Sequence, residues 1–268
     1  MNVNLLKKFC IFLDRKNIIK IIPIAVFFLF IFFVLVFIVE IIHPIVEIPK
    51  LKSGYIKIDV DLESGLADYT WSKQRPAEWA SLRAINPYAV RAIVTSEDGP
   101  FYLHAGLDLE QMKEAIAVAL SKGGRIRGAS TITQQVVKNL YLTRSKSIWR
   151  KLKEIIIALY MDKVLSKNRI LELYLNIIEY GENLYGISPA ARFYFGQFPE
   201  TLSPRQGAFL AMLLPSPKNY SESFRQKRLT PYAKKVIKKI LHQMAIINYI
   251  SMEKAQAELQ EKFWWETN

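Results

Sequence analysis

The 268 residues carry 37 Lys and Arg against 24 Asp and Glu, a formal net charge of +13, and 51% of them are hydrophobic. A single cysteine, Cys10, excludes a disulfide framework, and three dispersed histidines, His43, His104 and His242, argue against a zinc site. Part of the apolar content is one block, so the remainder suits one domain of roughly 200 residues, ample for a core.

That block comes first. Ile21 to Val39 holds no charge and is interrupted only by Pro23. At ~1.5 Å per residue it is about long enough to cross a ~30 Å hydrocarbon layer. The following Glu40-Ile41-Ile42-His43-Pro44 is not a small-x-small cleavage site, so a retained anchor is expected rather than a cleaved leader. Lys7, Lys8, Arg15, Lys16 and Lys20 precede the run against Asp14 alone, which predicts a cytoplasmic N-terminus and an exported domain. Cys10 then lies on the cytoplasmic side. The basic excess would suit nucleic acid, but an exported, anchored domain meets lipid headgroups and phosphates first. The expected divisions are a basic tail over 1–20, a transmembrane helix over 21–42, a linker and short strand region over 43–80, a catalytic core over 81–225 and C-terminal helices over 226–268.

Residues 44–52 read as a Pro-containing linker. Ile56, Ile58, Val60 and Leu62 alternate with Lys57, Asp59 and Asp61, the period of a half-buried strand or hairpin. Helical signals follow. Tyr88 to Ser96 is a helix stopped by Gly99-Pro100; Asp108 with Gln111 caps a second, ended by Gly123-Gly124; Thr131 with Gln134 opens a third, running to about Tyr141. Trp149, Leu152, Ile155, Ile156, Leu159 and Leu165 form an apolar stripe on a long fourth helix. Ser166 caps a fifth, with Ile170, Leu171, Tyr174 and Leu175 inward. Ser203-Pro204, Thr230-Pro231 and Ser251 open later helices, and Pro215 closes the first of these. The fold class is mainly α, with one short N-proximal β element.

Two carboxylates stand out. Glu97 ends an apolar helix beside a breaker; close to Phe101, its pKa could be raised by desolvation and the group could act as a base. A solvated helix-terminal Glu is the plain alternative, weakened by His104 and the Ser-Thr-Gln-Gln block. Glu154 shares a helix face with Arg150 and Lys151. An ordinary surface ion pair is the alternative there, but the Arg-before-Glu order is the less favoured one for helix stability, which points to a functional grouping. Ser130 and Thr131 at a helix start offer backbone N–H groups to an anion, with Lys138 seven residues beyond Thr131. Gln134 and Gln135 suit sugar hydroxyls and amides.

The strings Glu97-Asp98-x-x-Phe101-x-x-His104-x-Gly106, Gly128-x-Ser130-Thr131-Ile132-Thr133-Gln134-Gln135-x-x-Lys138-Asn139, Arg150-Lys151-x-x-Glu154 and Arg169-Ile170-Leu171-Glu172-x-Tyr174-Leu175-Asn176 resemble, in order, the motifs of the peptidoglycan glycosyltransferases (glycosyltransferase family 51), from about Asn86 to Tyr220. The chain departs from the family pattern at Gly99-Pro100 and at Ala129, neither of which removes a functional side chain. The resemblance implies a lysozyme-like domain partly sunk in the bacterial inner membrane, single-pass, with the catalytic domain in the periplasm. It implies polymerisation of lipid II into β-1,4 glycan strands, with inversion and release of undecaprenyl pyrophosphate. By the same resemblance Glu97 is the general base and Glu154 assists at the pyrophosphate. Lys138 and Arg150 meet the diphosphate charge, Thr131 and Gln135 hold donor groups, and Ser130, Gln134, Asn139 and Lys151 are further substrate-binding residues. Asp98, Phe101 and His104 shape the first motif. No cofactor is required; a divalent cation, Mg or Mn, at the pyrophosphate is an option. Expected partners are lipid II, the nascent strand, membrane lipid and other cell-wall or division proteins, with no nucleic acid.

Lys52-Ser53-Gly54, Ser166-Lys167-Asn168 and Ser251-Met252-Glu253-Lys254 nominally match penicillin-binding transpeptidase motifs, but in reversed order, and Ser251 reads better as an N-cap. Two rivals stay open: a lytic enzyme cutting finished glycan, and a scaffold without catalysis. The cationic set argues against the first, the full motif set against the second. Met112, Ile116, Val118 and Leu120 either approach lipid tails or pack an ordinary core.

Overall fold

The computed structural model describes residues 15–61, 63, 65–122, 130–143 and 147–267. Lys7, Lys8, Cys10, Asp14, Leu62, Gly123, Gly124, Gly128 and Ala129, named above, lie outside the described residues. The chain divides into two units, 1–46 and 47–268.

In the first unit, helix α1 (Arg15–Glu47) contains both Pro23 and Pro44. It includes one stretch long and apolar enough to cross a membrane, with a mean hydropathy of 3.3. The helix runs past the expected end. Ile41, Ile42, Ile45 and Val46 sustain it, and Pro44 removes one intrahelical bond without ending it. A 3-10 turn follows at Ile48–Lys52, with Ile48 and Leu51 buried. The expected linker at 44–52 is therefore helical, and its second half belongs to the core of the second unit.

The second unit opens on an antiparallel hairpin, β1 (Tyr55–Asp61) and β2 (Leu66–Ser72), with Tyr55 opposite Ser72. The alternation holds: Ile56 is buried, Ile58 and Val60 are half-buried, and Lys57 and Asp59 are exposed. The rest is mainly α: α2 (Pro87–Glu97), α3 (Leu109–Lys122), α4 (Ile132–Tyr141), α5 (Ile148–Val164) and α6 (Lys167–Ile177), then a small hairpin of β3 (Glu179–Gly181) and β4 (Leu184–Tyr185). The chain continues through α7 (Ile187–Phe195), α8 (Pro204–Leu213), the short α9 (Pro217–Tyr220) and α10 (Glu222–Arg225), α11 (Pro231–Ile246) and α12 (Met252–Gln260).

The expected caps are in place. Asp108 Oδ1 accepts from the Gln111 amide at 2.9 Å. Thr131 with Gln134 and Ser203 with Gln206 close reciprocal capping boxes. Ser251 Oγ accepts from the Lys254 amide, so it caps a helix as its sequence suggested. Helix α7 has no side-chain cap; it begins at Gly186 and closes on Gly196 in the left-handed region, which explains why polar cap signals do not reveal it.

Two packings position the site. Helix α2 lies along α8, where Gly207 comes so close that an added Cβ would fall 2.6 Å from Ala89 Cα. Helix α4 is sandwiched between α5 and α6. The core joins these layers through Ile93, Ile132, Val136, Ile157, Met161, Ile170 and Tyr174. The C-terminal segment is held by rings: Phe263 and Trp265 stack at 5.0 Å, and Phe209 lies 5.2 and 5.5 Å from them.

The stripe on α5 does not face this core. At about 100° per residue, Ile148, Leu152, Ile155, Ile156 and Leu159 gather on one side with Trp149, while Glu154, Ile157, Ala158 and Met161 lie opposite. The second set is buried; Ile148, Trp149, Leu152, Ile156 and Leu159 are exposed, Ile148 at 81%. On α3, Leu109, Ile116 and Leu120 likewise share an exposed face, and Val118 is exposed too. Ordinary core packing is thus ruled out for Ile116, Val118 and Leu120, while Met112 is half-buried.

Candidate active site

Glu97 is the last residue of α2. The chain turns extended at Asp98, whose amide closes the helix on the Val94 carbonyl at 2.8 Å. Asp98 then ties the loop to the start of α4. Its Oδ2 accepts from the Ile132 amide at 2.9 Å, and its Oδ1 meets His104 Nε2 at 2.8 Å. A carboxylate at a helix N-terminus is favoured by the helix dipole. Burial still raises the Asp98 pKa, against the lowering bonds from His104 and Ile132. Thr131 adds a second tie, its hydroxyl donating to the Gly106 carbonyl at 2.7 Å. Gly106 has φ 78°, and a Cβ there would meet the Ala158 carbonyl oxygen at 2.8 Å, so both the backbone angle and the closeness of α5 call for glycine.

These ties bring Glu97 against the first turns of α4. Gln135 Nε2 donates to Glu97 Oε2 at 2.9 Å. Burial raises the Glu97 pKa; the Gln135 bond and the Lys138 charge pull it down, and Asp98 adds a smaller push upward. A half-buried carboxylate with a raised pKa is a better proton acceptor than a solvated one.

Lys138 lies one turn beyond Gln135 and is influenced by Glu97 and Glu154 alike. Desolvation lowers its pKa first, Glu154 raises it, and Arg150 and Lys151 lower it further. Its side chain nevertheless keeps an exposed surface that a ligand can reach. Glu154 itself is 2% exposed. Arg150 Nη1 donates to its Oε2 at 2.8 Å, and the Lys151 ammonium pairs with its other oxygen while reaching Ser130 Oγ at 3.2 Å. Ser147 caps α5 by accepting from the Arg150 amide at 3.1 Å, fixing the turn that carries both cations. Three cations, Lys138, Arg150 and Lys151, thus lie around the carboxylates Glu97 and Glu154.

Not every expected residue faces open space. Three amides at the start of α4 are occupied. Ile132 N is taken by Asp98, Thr131 N by Gln134 Oε1 and Gln134 N by Thr131 Oγ1. These three amides are therefore not free for an anion, contrary to the sequence-based expectation at Thr131. Thr131 is 0% and Gln134 1% exposed, and both side chains are engaged in the loop architecture. Asp98 and Phe101 are buried as well, with the Phe101 ring 6.3 Å from that of His104. Ser130, Gln135 and Asn139 are half-buried.

The string beginning at Arg169 is mostly a clamp. Arg169 Nε donates to the Leu51 carbonyl at 2.8 Å, and its other nitrogens reach Gly54 O and Glu172. Glu172 accepts from Trp79 Nε1 at 3.0 Å and the Leu82 amide at 2.9 Å, and Asn176 brackets Ala80 through both its N–H and its carbonyl. Tyr174 is the exception, since its hydroxyl reaches Gln135 Oε1 at 3.2 Å. Sequence reasoning placed Tyr174 only in the core; a buried Tyr on an inward stripe carries no signal of what its hydroxyl meets.

The class of protein is a mainly α domain that sets a desolvated carboxylate near a cationic cluster, groups suited to accepting a proton and to stabilising an anion. A family model described as Transglycosylase matches residues 64–245. Over 167 residues the chain is 44% identical to a biosynthetic peptidoglycan transglycosylase of Nitrosospira multiformis, covering 62% of this chain and 71% of that protein. It is 38% identical over 176 residues to that of Nitrosomonas eutropha, covering 64% and 72%. Against that of Rhizobium meliloti it is 46% identical over 140 residues, covering 52% and 59%. The chain belongs to the transglycosylase family, with the lysozyme-like, mainly α fold of that family; it is a glycosyltransferase that polymerises glycan strands in peptidoglycan synthesis.

Proposed function

We propose that the enzyme joins lipid II units with Glu97 as general base. Glu97 takes the proton of the acceptor GlcNAc 4-hydroxyl, and that oxygen attacks the anomeric carbon of the donor strand with inversion. The bond to undecaprenyl pyrophosphate breaks and its electron pair leaves with the diphosphate. Lys138, Arg150 and Lys151 meet that charge, and Glu154 orients the last two. A diphosphate is a competent leaving group once its charge is met, so no strong acid is required, unlike cleavage of an unactivated glycoside, where a second carboxyl protonates the leaving oxygen. The observation that carries this assignment is the contact of Glu97 with α4, where Gln135 donates to it at 2.9 Å and Lys138 follows one turn later, while Arg150 and Lys151 gather on Glu154 at the start of α5.

Helix α1 would anchor the chain once in the inner membrane, N-terminus inside and catalytic domain in the periplasm. No cofactor is needed. A divalent cation would enter with the diphosphate, since among the described residues no group of three or more His, Cys, Asp or Glu is placed to hold one.

The test is Glu97→Gln in the full chain, assayed on lipid II in vesicles. Polymerisation is expected to fall about 10²–10⁴-fold with folding intact, and unchanged activity would overturn the base assignment. Release of soluble fragments from finished glycan, with no polymer from lipid II, would favour lytic chemistry instead.

A further inference from the structure

Behind Glu97 stands a layer of buried tyrosines that the chemistry above leaves unused. Tyr174 on α6 and Tyr180 on β3 are both 0% exposed, and both hydroxyls lie in the field of the Glu97 carboxylate. Only Tyr174 is bonded toward it. Its hydroxyl meets Gln135 Oε1 at 3.2 Å, and the other end of the same amide donates to Glu97 at 2.9 Å. The Tyr180 hydroxyl is buried without a hydrogen-bond partner among the described residues.

A glutamine amide can sit either way round, and what it faces decides which. A carboxylate only accepts, so Glu97 calls for the NH₂ end. A neutral phenol can donate, so Tyr174 calls for the carbonyl end. We propose that Tyr174 is a positioning residue for the general base: its hydroxyl locks the Gln135 amide so that the NH₂, never the carbonyl, faces Glu97 and holds one carboxylate oxygen, leaving the other to the acceptor hydroxyl. The inference rests on the assignment of Glu97 as base. Burial, and then the nearby Glu97 charge, hold the Tyr174 pKa well above the ordinary tyrosine range, so it stays a donor wherever the enzyme works.

Without the lock, the amide can turn its carbonyl toward Glu97, where it disfavours the carboxylate and favours the protonated acid. The sign follows: loss of the Tyr174 hydroxyl raises the pKa of the base. The other charged or titratable groups around Glu97, namely Asp98 with its His104 partner, Lys138 and Tyr180, are untouched by the substitution.

The experiment is the pH dependence of lipid II polymerisation by the full chain carrying Tyr174→Phe. The acid limb of kcat is expected to move upward, giving about a three- to tenfold lower rate on that limb, the size set by roughly half to one pH unit. On the alkaline plateau the rate should recover, with KM for lipid II unchanged. Tyr180→Phe removes an unbonded hydroxyl and should leave the limb in place. Gln135→Leu should shift the limb by itself, and adding Tyr174→Phe to it should move the limb no further. A Tyr174→Phe protein with native thermal unfolding and an unmoved limb would overturn the proposal. So would a full additional shift in the Gln135→Leu background, or an equal shift in Tyr180→Phe. If Tyr174→Phe fails to fold, the Gln135→Leu limb decides, an unmoved limb overturning the proposal. Activity retained by Glu97→Gln would instead sink the base assignment itself.

Discussion

Glu97 is held in a costly state, and its pH behaviour should show it. Burial lifts its pKa above the ordinary value of 4.5, so the folded protein binds that proton more tightly than the unfolded chain does. Stability then falls as pH rises from 4.5 through the raised value, and the cost is complete above it. Replacing the acid by an isosteric neutral amide removes that cost. Glu97→Gln is therefore expected to raise the midpoint of thermal unfolding at pH 7, by about 2–4 °C for each kcal/mol relieved in a domain of this size, and the gain should vanish below pH 4.5. Equal midpoints at pH 7 and pH 4 would mean that the carboxylate is comfortable where it sits. Glu154 is buried more deeply and differs in kind, since two cations answer its charge. Breaking such a pair leaves an uncompensated charge behind, which is why its role reads as holding Arg150 and Lys151 rather than moving protons.

At the scale of elements, the site is a meeting of helix ends. The end of α2 delivers Glu97, α4 delivers Gln135 from its first turn and Lys138 from its last, and the start of α5 delivers Arg150 and Lys151. Their register depends on contacts remote from the chemistry. Gly207 on α8 allows α2 to approach until its backbone is nearly touching, with Ala92 Cβ 3.2 Å from where a Cβ would sit. A branched side chain at that point must push α2 away. Gly207→Val is expected to lower stability by at least about 2 kcal/mol in denaturant unfolding, and to lower polymerisation in whatever fraction remains folded, because α2 carries the base. A variant as stable and active as the parent would show that this packing does not set the position of Glu97. The caps and their reciprocal glutamines were legible in sequence because a cap is local, a side chain answering an amide three residues on. The β3–β4 hairpin and α7 were not, since β3 has only three residues and α7 is bounded by glycines at positive φ.

For the whole molecule, the exposed apolar sets on α3 and α5 matter most. A soluble surface rarely gathers so many large side chains without a use. Leu120 at 81%, Ile148 at 81% and Trp149 at 65% exposure are side chains suited to hydrocarbon. The proposed substrate, lipid II, carries a lipid chain, so a catalytic domain that dips into the bilayer would meet that chain where it lies. Trp149→Ser, Leu152→Ser and Ile156→Ser together, in the full chain, are expected to raise the apparent KM for lipid II in vesicles at least about tenfold; each such group is worth roughly 1.5–3 kcal/mol when fully buried. The unfolding midpoint should barely move. A lowered midpoint with unchanged KM would show instead that these side chains pack against protein.

What residue order decided by itself was whatever depends on near neighbours or on motif spacing: the apolar span, the hairpin, the capped helices, the two carboxylates and the cationic set. What only the tertiary structure decided was direction. The α5 stripe was legible as an apolar side but not as one that points outward, because helical periodicity shows that a helix has such a side but not what lies beyond it. At the start of α4 the Ile132 amide is taken by Asp98, thirty-four residues away. Tyr174 looked like one more core ring until its hydroxyl met Gln135. Each of these outcomes turns on a contact between residues distant in the chain, and such contacts are made only when the backbone closes around them.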